Sequence, residues 1–503
     1  MTRRPHWTVR MALLLVVAAA PVLRAQGQTP DQNQQDQSQG AQTPADQSSA
    51  PIPAYRSPLA SAAGSDEDTG QEMTPDTNAL SGAENLTLGT PTERDYWQPH
   101  VDLFATADSN PYVSANGNGN SWGVWTSLSG GIDLHRRSGN NDLTLSYLSG
   151  AMFSSENGIS AGVVQTLNVS DKFSFHRSSL EFFDSLDYLP ESGFGFGGLG
   201  GSAPLGGGGG LGGSFTPGQS VLTGEGQNLE NSFATELDTY LTPRTSLTFV
   251  GGYSVLHYFG SDIANFGITL LNYDGYSFRG GVNHLLNHKD TIAVFYTYNA
   301  IRYSNFNQFI DTQTAQVSYG RRVTGRLAFQ VAAGPQYVIS RVSVTGLAPG
   351  GEMGTPTNQV TELLWSLDSS LLYQTGRNLF QLRYDHGVNG GSGVLAGADA
   401  DIVSGSLTHQ VSRTFSDGVI AGYSRNSGTP VTESPLLTQV FDYWFAGATL
   451  THPIGRTLGL TFTYQMQYQT SNGAFRIGPV GGTNVIVNLI SVGIGWHERP
   501  LTF

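Results

Sequence analysis

The chain has 503 residues, of which 13% are charged and 38% are hydrophobic, and it contains 64 glycines and no cysteine. Soluble globular domains carry about 25% charged and about 45–50% apolar residues, so this composition does not fit a soluble enzyme, a coiled coil or a helical membrane protein. The absence of cysteine excludes thiolate metal sites and disulfides, and no metal or cofactor is expected. The net charge of −14 argues against a nucleic-acid partner, because phosphate binding requires a basic surface.

Residues 1–25 have the pattern of a secretory signal peptide. Arg3, Arg4 and Arg10 surround the start of the apolar run Met11–Leu23, and a polar tract follows Ala25. This run is shorter than the roughly 20 residues that a membrane-spanning helix needs. We therefore expect export and cleavage after Ala25, with an uncleaved anchor helix as the alternative.

The segment 26–96 is dominated by Gln, Asp, Pro, Ser and Thr. Its few apolar residues cannot offset the entropy lost on ordering the chain. The composition predicts a disordered periplasmic spacer, and a role in tethering or partner binding remains an alternative.

The segment 97–503 shows a hydrophobic period of two, which is typical of β-strands with one apolar and one polar face. In Leu458–Gln469, for example, the even positions are apolar and the odd positions are Gly, Thr and Gln. Such alternation also occurs in soluble β-sandwiches. The pattern alone therefore does not decide whether the apolar face meets lipid.

The connections between the predicted strands alternate between tight turns and longer loops rich in Gly, Asn and Ser. We count eighteen strands, or sixteen if the first or shortest segments are not strands. Short turns on one rim and long loops on the other are typical of outer-membrane barrels. The sequence predicts an all-β, antiparallel, up-and-down transmembrane barrel over 97–503. Aromatic residues near the predicted strand ends suggest an interfacial girdle; they are Trp122, Trp125, Tyr188, Tyr240, Tyr258, Tyr303, Tyr373, Tyr468 and Trp496.

The chain ends in Leu501-Thr502-Phe503, and in this ending and its architecture it resembles the outer-membrane porins of Gram-negative bacteria. The resemblance implies that Phe503 is a signal for the barrel-assembly machinery. It further implies residence among outer-membrane lipids and assembly into homotrimers.

The third long loop of the predicted barrel, 190–229, begins with a partial match to a porin motif. Pro190 and Glu191 are followed by Phe194 and Gly195, whereas the porin motif is a continuous Pro-Glu-Phe-Gly-Gly. The resemblance implies that these four residues form a constriction in the pore. The glycine tract Gly206–Gly213 favours the alternative, a surface loop of low complexity.

If the apolar faces meet lipid, the polar faces line a lumen. The phase of each strand predicts seven acidic and three basic residues on these polar faces, and this excess suggests a weak preference for cations. The predicted lumen-lining residues are Lys172, Glu181, Asp187, Glu236, Asp238, Arg279, Glu362, Asp368, Arg383 and Asp385. Arg383 and Asp385 are two positions apart and are also candidates for a simple salt bridge in the wall.

Eighteen strands leave room for an aqueous channel, so the sequence predicts passive diffusion of small hydrophilic solutes through an outer-membrane barrel. A barrel with a closed lumen that acts as an adhesin or structural protein is the main alternative. An enzyme is not expected, because no catalytic motif stands out and Asp385 and His386 point to opposite faces of one predicted strand.

Overall fold

The computed structural model describes residues 95–110, 122–154, 162–191, 225–259, 262–263, 268–269, 271–304, 307–343, 346–347, 353–354, 357–389, 395–412, 415–429, 440–455, 457–472, 484–497 and 501–502. The predicted signal peptide, and the predicted spacer as far as residue 94, lie outside these residues. The described part of the chain contains no helix that is long and apolar enough to cross a membrane.

Eighteen long strands make up the fold, each of 12 to 18 residues. The first nine are β1 (Tyr96–Asp108), β2 (Gly123–Ser138), β3 (Asn141–Ser154), β4 (Gly162–Ser174), β5 (Ser178–Glu191), β6 (Glu225–Thr242), β7 (Thr245–Phe259), β8 (Tyr273–Leu285) and β9 (Asp290–Tyr303). The others are β10 (Gln308–Arg322), β11 (Leu327–Ser343), β12 (Thr357–Gln374), β13 (Asn378–Asn389), β14 (Ala398–Ser412), β15 (Phe415–Gly428), β16 (Val440–Ile454), β17 (Leu458–Ser471) and β18 (Asn484–His497).

Each strand pairs antiparallel with the next along the chain, and β1 pairs with both β2 and β18. Each of the eighteen strands is therefore paired on both sides, and the sheet closes into a barrel. The short pairing of Leu501–Thr502 with Tyr96 and Trp97 extends the closure. The predicted number of eighteen strands is confirmed, and the alternative of sixteen is wrong.

The two rims of the barrel differ in the same way that the sequence predicts. On one rim, which we call the turn rim, every connection has only two to four residues. These connections join β2 to β3, β4 to β5 and every second pair after that, up to β16 and β17. On the other rim, the loop rim, the connections reach 33 residues between β5 and β6, although only four residues join β9 to β10. This asymmetry is the arrangement found in outer-membrane β-barrels.

The two faces of the wall differ in polarity. We call the face that points into the barrel the inner face and the opposite one the outer face. In β17, Leu460, Phe462 and Tyr464 are exposed on the outer face, whereas Gln467 and Gln469 are buried on the inner face. In a soluble protein apolar side chains are mostly buried and polar ones mostly exposed. The reverse distribution fits a barrel whose outer face is covered by lipid.

Some residues do not lie where the sequence pattern suggests. Trp125, Tyr258 and Tyr303 are 3%, 6% and 2% exposed, because the register places them on the inner face. These three are therefore not part of an outer girdle. Leu148 and Met152 break the alternation of β3 for a similar reason, since they are apolar residues buried on the inner face.

The seam between β18 and β1 is closed by polar side chains on the inner face. Gln98 Nε2 donates to His497 Nδ1 at 2.9 Å. On the other side of β1, His100 Nδ1 lies 3.4 Å from Asp133 on β2. The imidazole of His100 lies over Gly131, where an added Cβ would stand 2.4 Å from Nε2. Only glycine at position 131 leaves room for this ring between β1 and β2.

Candidate lumen and constriction

The inner face of β5 and β6 carries carboxylates at directly opposed positions. Glu181 is paired with Glu236, and Asp187 is paired with Glu230. Like charges at opposed positions of a sheet are destabilising, so these pairs need compensation from neighbouring groups. Glu181 has two compensating contacts: Lys172 Nζ lies 3.8 Å from it, and the Ser170 hydroxyl donates to the same carboxylate at 3.0 Å.

A second polar group crosses the inner face from β10 to β13. Gln316 Nε2 donates to Ser366 Oγ at 3.0 Å and to Asp368 Oδ2 at 2.9 Å, passing over β11. Asp368 is in turn directly opposite Asp385.

The predicted salt bridge between Arg383 and Asp385 is present. Arg383 donates from Nε to Asp385 Oδ2 at 2.6 Å and from Nη2 to Oδ1 at 3.1 Å. This bidentate contact offsets the repulsion between Asp385 and Asp368. Arg279, on the inner face of β8, donates from Nε to Thr297 at 3.2 Å and stacks over the ring of Phe295.

Near the loop rim the β13–β14 hairpin leaves the wall and folds into the barrel. We call its described residues, Gly387–Asn389 and Leu395–Ala398, the inturned tip. The Val388 backbone N–H donates to Gln336 Oε1 on β11 at 2.9 Å, although β12 separates β11 from β13 in the sheet. The end of β13 therefore lies inside β12 rather than beside it.

The inturned tip is held on the inner face by contacts with distant strands. Gln308 Nε2 on β10 donates to the Ala396 carbonyl at 2.9 Å, and the Thr429 hydroxyl donates to the same oxygen at 3.1 Å. Gly397 has a φ of +80°, and an added Cβ would stand 2.1 Å from Ile310 Cδ1. A glycine at position 397 thus satisfies both the backbone conformation and the close packing.

An apolar cluster surrounds the inturned tip. Leu271, Tyr303, Ile310, Val338 and Val388 are all buried in it, and Ala396 packs against it. Because these residues come from the loop-rim halves of β9, β10, β11 and β13 and from the connection before β8, the cluster narrows the barrel interior at this rim. The interior of the barrel is therefore more apolar and more tightly packed near the loop rim than around the polar residues described above.

Further round the same rim, β16 and β17 present large side chains to the interior. Phe441 and Tyr443 are 0% exposed, and they are joined by Phe445, Gln467 and Gln469. The register places all five on the inner face. This part of the wall is densely packed.

All ten residues predicted from the strand phase lie on the inner face, as the register of β4–β6, β8, β12 and β13 shows. Of the residues predicted for a pore constriction, Pro190 and Glu191 belong to the end of β5, whereas Phe194 and Gly195 lie outside the described residues. Phe503, the predicted insertion signal, also lies outside them.

Sequence reasoning missed five acidic residues of the inner face: Asp102, Asp108, Asp133, Asp142 and Glu230. The signal for them was present, because each shares the polar phase of its strand, as Asp102 does with Gln98 and His100. Within the described part of the chain, no group of three or more His, Asp or Glu side chains is placed to hold a metal ion.

No family model matches the chain. No curated protein matches it either. Among solved structures, it is similar to OpdQ of Pseudomonas aeruginosa, with 12% identity and a TM-score of 0.39 over 81% of this chain and 99% of OpdQ. It is also similar to a BenF-like porin from Pseudomonas fluorescens Pf-5, with 11% identity and a TM-score of 0.40 over 81% and 99% of the two chains.

Acinetobacter baumannii OccAB1 gives a comparable result, with 12% identity and a TM-score of 0.40 over 80% of this chain and 97% of OccAB1. At these TM-scores and identities, the similarity assigns neither a family nor a solute to the chain.

Proposed function

We propose that the chain is an outer-membrane channel for the passive diffusion of small hydrophilic solutes. The observation that carries this proposal is the polarity of the closed eighteen-stranded wall, which is apolar on its exposed outer face and polar on its inner face. An outer face of this kind is stable against lipid, and a barrel of about this size has room for water inside.

The channel prefers cations. The inner-face carboxylates of β5 and β6 support this preference, because Glu181 and Glu236, like Asp187 and Glu230, face each other in pairs. Of the three basic residues predicted on the inner face, Lys172 lies against Glu181 and Arg383 is bound to Asp385. A surplus of one charge in a narrow space with low-dielectric walls raises the local concentration of counter-ions.

The inturned tip limits the size of the solutes that pass. The support for this role is the position of Leu395–Ala398 on the inner face of β10, where Gln308 and Ile310 hold it. A constriction through Pro190 and Glu191 at the end of β5 and Phe194 and Gly195 in the connection to β6, which starts at Glu225 rather than after residue 229, is a second and compatible proposal.

The remaining assignments complete the proposal. The chain is exported by residues 1–25, carries in the periplasm the spacer that starts at residue 26 and ends before β1 at Tyr96, and is inserted through recognition of Phe503 by the barrel-assembly machinery. It resides among outer-membrane lipids, assembles as a homotrimer, binds no nucleic acid and is not an enzyme. Lipase and protease assays on the purified barrel test the last point.

Planar-bilayer recordings of the purified full-length chain test the channel. We expect discrete conductance steps and, under a salt gradient, a reversal potential whose sign shows that cations pass more readily than anions. Liposome-swelling assays with sugars of increasing size then give the size limit. Absence of conductance in bilayers that contain correctly folded protein would overturn the proposal.

A non-conducting barrel that serves as an adhesin or structural protein is the second candidate. It is favoured by the dense packing at the loop rim, where Phe441, Tyr443, Gln467 and Gln469 are at most 1% exposed. The same swelling assay separates the two candidates, because a filled barrel admits no sugar of any size.

A further inference from the structure

The pairing of β12 with β13 stops before either strand ends. It runs from Gln374–Leu379 to Leu367–His386. β12 nevertheless continues to Thr357 and is paired with β11 from Thr357 to Tyr373. β13 continues to Asn389 and is paired with β14 as far as Ala398. Among the described residues, the two strands thus form a fork that opens towards the loop rim.

The unused parts of the two strands are in register with each other. Continuing the ladder without any insertion would place Ser366 opposite Gly387, Trp365 opposite Val388 and Leu364 opposite Asn389. All six residues already have strand conformation. A complementary ladder is therefore available without refolding either strand.

Side-chain contacts hold the end of β13 away from this ladder. Gln336 accepts a hydrogen bond from the Val388 N–H at 2.9 Å, and the Val388 side chain is buried in the apolar cluster around Ile310. In this inward position, Asp399 on β14 lies close enough to Glu362 on β12 for the two carboxylates to repel each other. The inward position of the end of β13 is thus stabilised by these contacts and destabilised by the repulsion between the two carboxylates.

The alternative arrangement, in which the β12–β13 ladder is extended, completes the backbone hydrogen bonds of the wall. A strand edge without a partner is strongly disfavoured beside hydrocarbon, where water cannot replace the missing hydrogen bonds. Extension of the β12–β13 ladder pairs this edge and separates Glu362 from Asp399. It also draws Val388 out of the apolar cluster and moves the attached residues Leu395–Ala398 away from Ile310.

We propose that the barrel has a gate that works by strand pairing. In the closed state the inturned tip lies on β10 and β11, as in this structure. In the open state Leu364–Ser366 pair with Gly387–Asn389, and the tip is withdrawn from the interior. The proposal rests on the channel function proposed above, and it assigns the gating to the Gln336–Val388 contact.

Disulfide trapping tests the open state directly, because the natural chain contains no cysteine. Trp365→Cys/Val388→Cys places two thiols at positions that face each other only in the extended ladder. Under oxidation we expect this variant to cross-link and to remain at its highest conductance until a reductant is added. Leu371→Cys/Leu382→Cys is the matched control, since these residues already face each other on the same two strands; it should cross-link without a change in conductance.

A second measurement does not depend on conductance. Ile310 is 0% exposed, so Ile310→Cys should react slowly with a hydrophilic maleimide. Adding Gln336→Leu removes the hydrogen bond to Val388 at similar side-chain volume. Because a single buried hydrogen bond changes such an equilibrium by roughly two- to tenfold, the labelling rate should rise by that factor.

These experiments test the proposed gate and the proposed channel function independently. Failure of Trp365→Cys/Val388→Cys to cross-link while the control does so, or a cross-linked form that conducts no better than the reduced form, would overturn the gate. Faster labelling of Ile310→Cys with Gln336→Leu in a protein that never conducts would uphold the movement of the tip and overturn the channel. Unchanged labelling would overturn the role of Gln336.

Discussion

Trp365 on β12 stacks its indole on the imidazole of His386 on β13, with 3.8 Å between the ring centroids and 27° between the planes. The register places His386 opposite Leu367 rather than Trp365, so the stack is diagonal and lies at the fork where the two strands separate. His386 Nδ1 also donates to Asp401 on β14 at 2.9 Å. The stacked pair thus ties three strands together at the level where the ladder ends.

Replacing Trp365 should weaken the barrel at this fork. We expect Trp365→Ala to lower the free energy of unfolding by about 1–2 kcal/mol, because it removes a ring contact that covers a largely buried imidazole. Urea titration of the protein in liposomes measures the change. Leu363→Ala is the matched control, since Leu363 lies on the same face of β12 and is 72% exposed; equal losses for the two variants would contradict the role of the stack.

The opposed carboxylates of β5 and β6 should set the ion preference. Glu181→Gln/Glu236→Gln removes two negative charges from the inner face, so the reversal potential in a salt gradient should move towards zero. Asp184→Asn serves as the control, because Asp184 lies on the outer face of β5, where it accepts a hydrogen bond from Asn231 at 2.8 Å. An equal shift for the control would show that the preference does not arise at the inner face.

A charged side chain should destabilise the barrel much more on the outer face than on the inner face. Phe462 forms an exposed apolar row with Leu450 and Val492 on the neighbouring strands. Phe462→Arg should cost about 2–4 kcal/mol of stability in a bilayer if this row lies near the midplane. Thr461→Arg, one residue earlier and on the inner face, should cost less. The order of the two unfolding midpoints in liposomes checks this, and the reverse order would mean that lipid does not cover this face.

A side chain at position 397 should displace the inturned tip. Gly397→Ala introduces a Cβ that would clash with Ile310 Cδ1, and alanine is strained at the φ of +80°. We expect a higher mean single-channel conductance in planar bilayers. Gly455→Ala is the control, because its φ of +76° imposes the same strain while its Cβ would meet no atom within 4 Å. If both variants conduct like the natural protein, the tip does not limit the current.

The alternation of polar and apolar residues made the barrel wall predictable. In β17 the pattern is uninterrupted, and the structure places Phe462 outside and Gln465 inside as predicted. The rule fails where an inner residue is apolar, as at Met152, or where an aromatic residue near a strand end points inward, as Trp125 and Tyr303 do. Alternation identifies the two faces, but it does not show which apolar residues are buried inside.

The inturned tip could not be predicted by the same reasoning. The contact between Gln308 and Ala396 joins residues 88 positions apart, and neither residue belongs to a recognisable motif. The early end of the β12–β13 ladder also has no local signal, because Trp365 and Val388 both continue the alternation of their strands. Only the three-dimensional arrangement shows that the Gln336 amide takes the place of a neighbouring strand.

The seam between β1 and β18 has a consequence for how the barrel assembles. The hydrogen bond between Gln98 and His497 joins residues separated by 399 positions, whereas every other neighbouring pair of strands is adjacent in the sequence. Hairpins can therefore form early and locally, but the last join has a large loop-closure entropy and forms slowly. Until then the first and last strands both expose unpaired edges, which are prone to pair with other chains. During this interval the chain depends most on protection from aggregation.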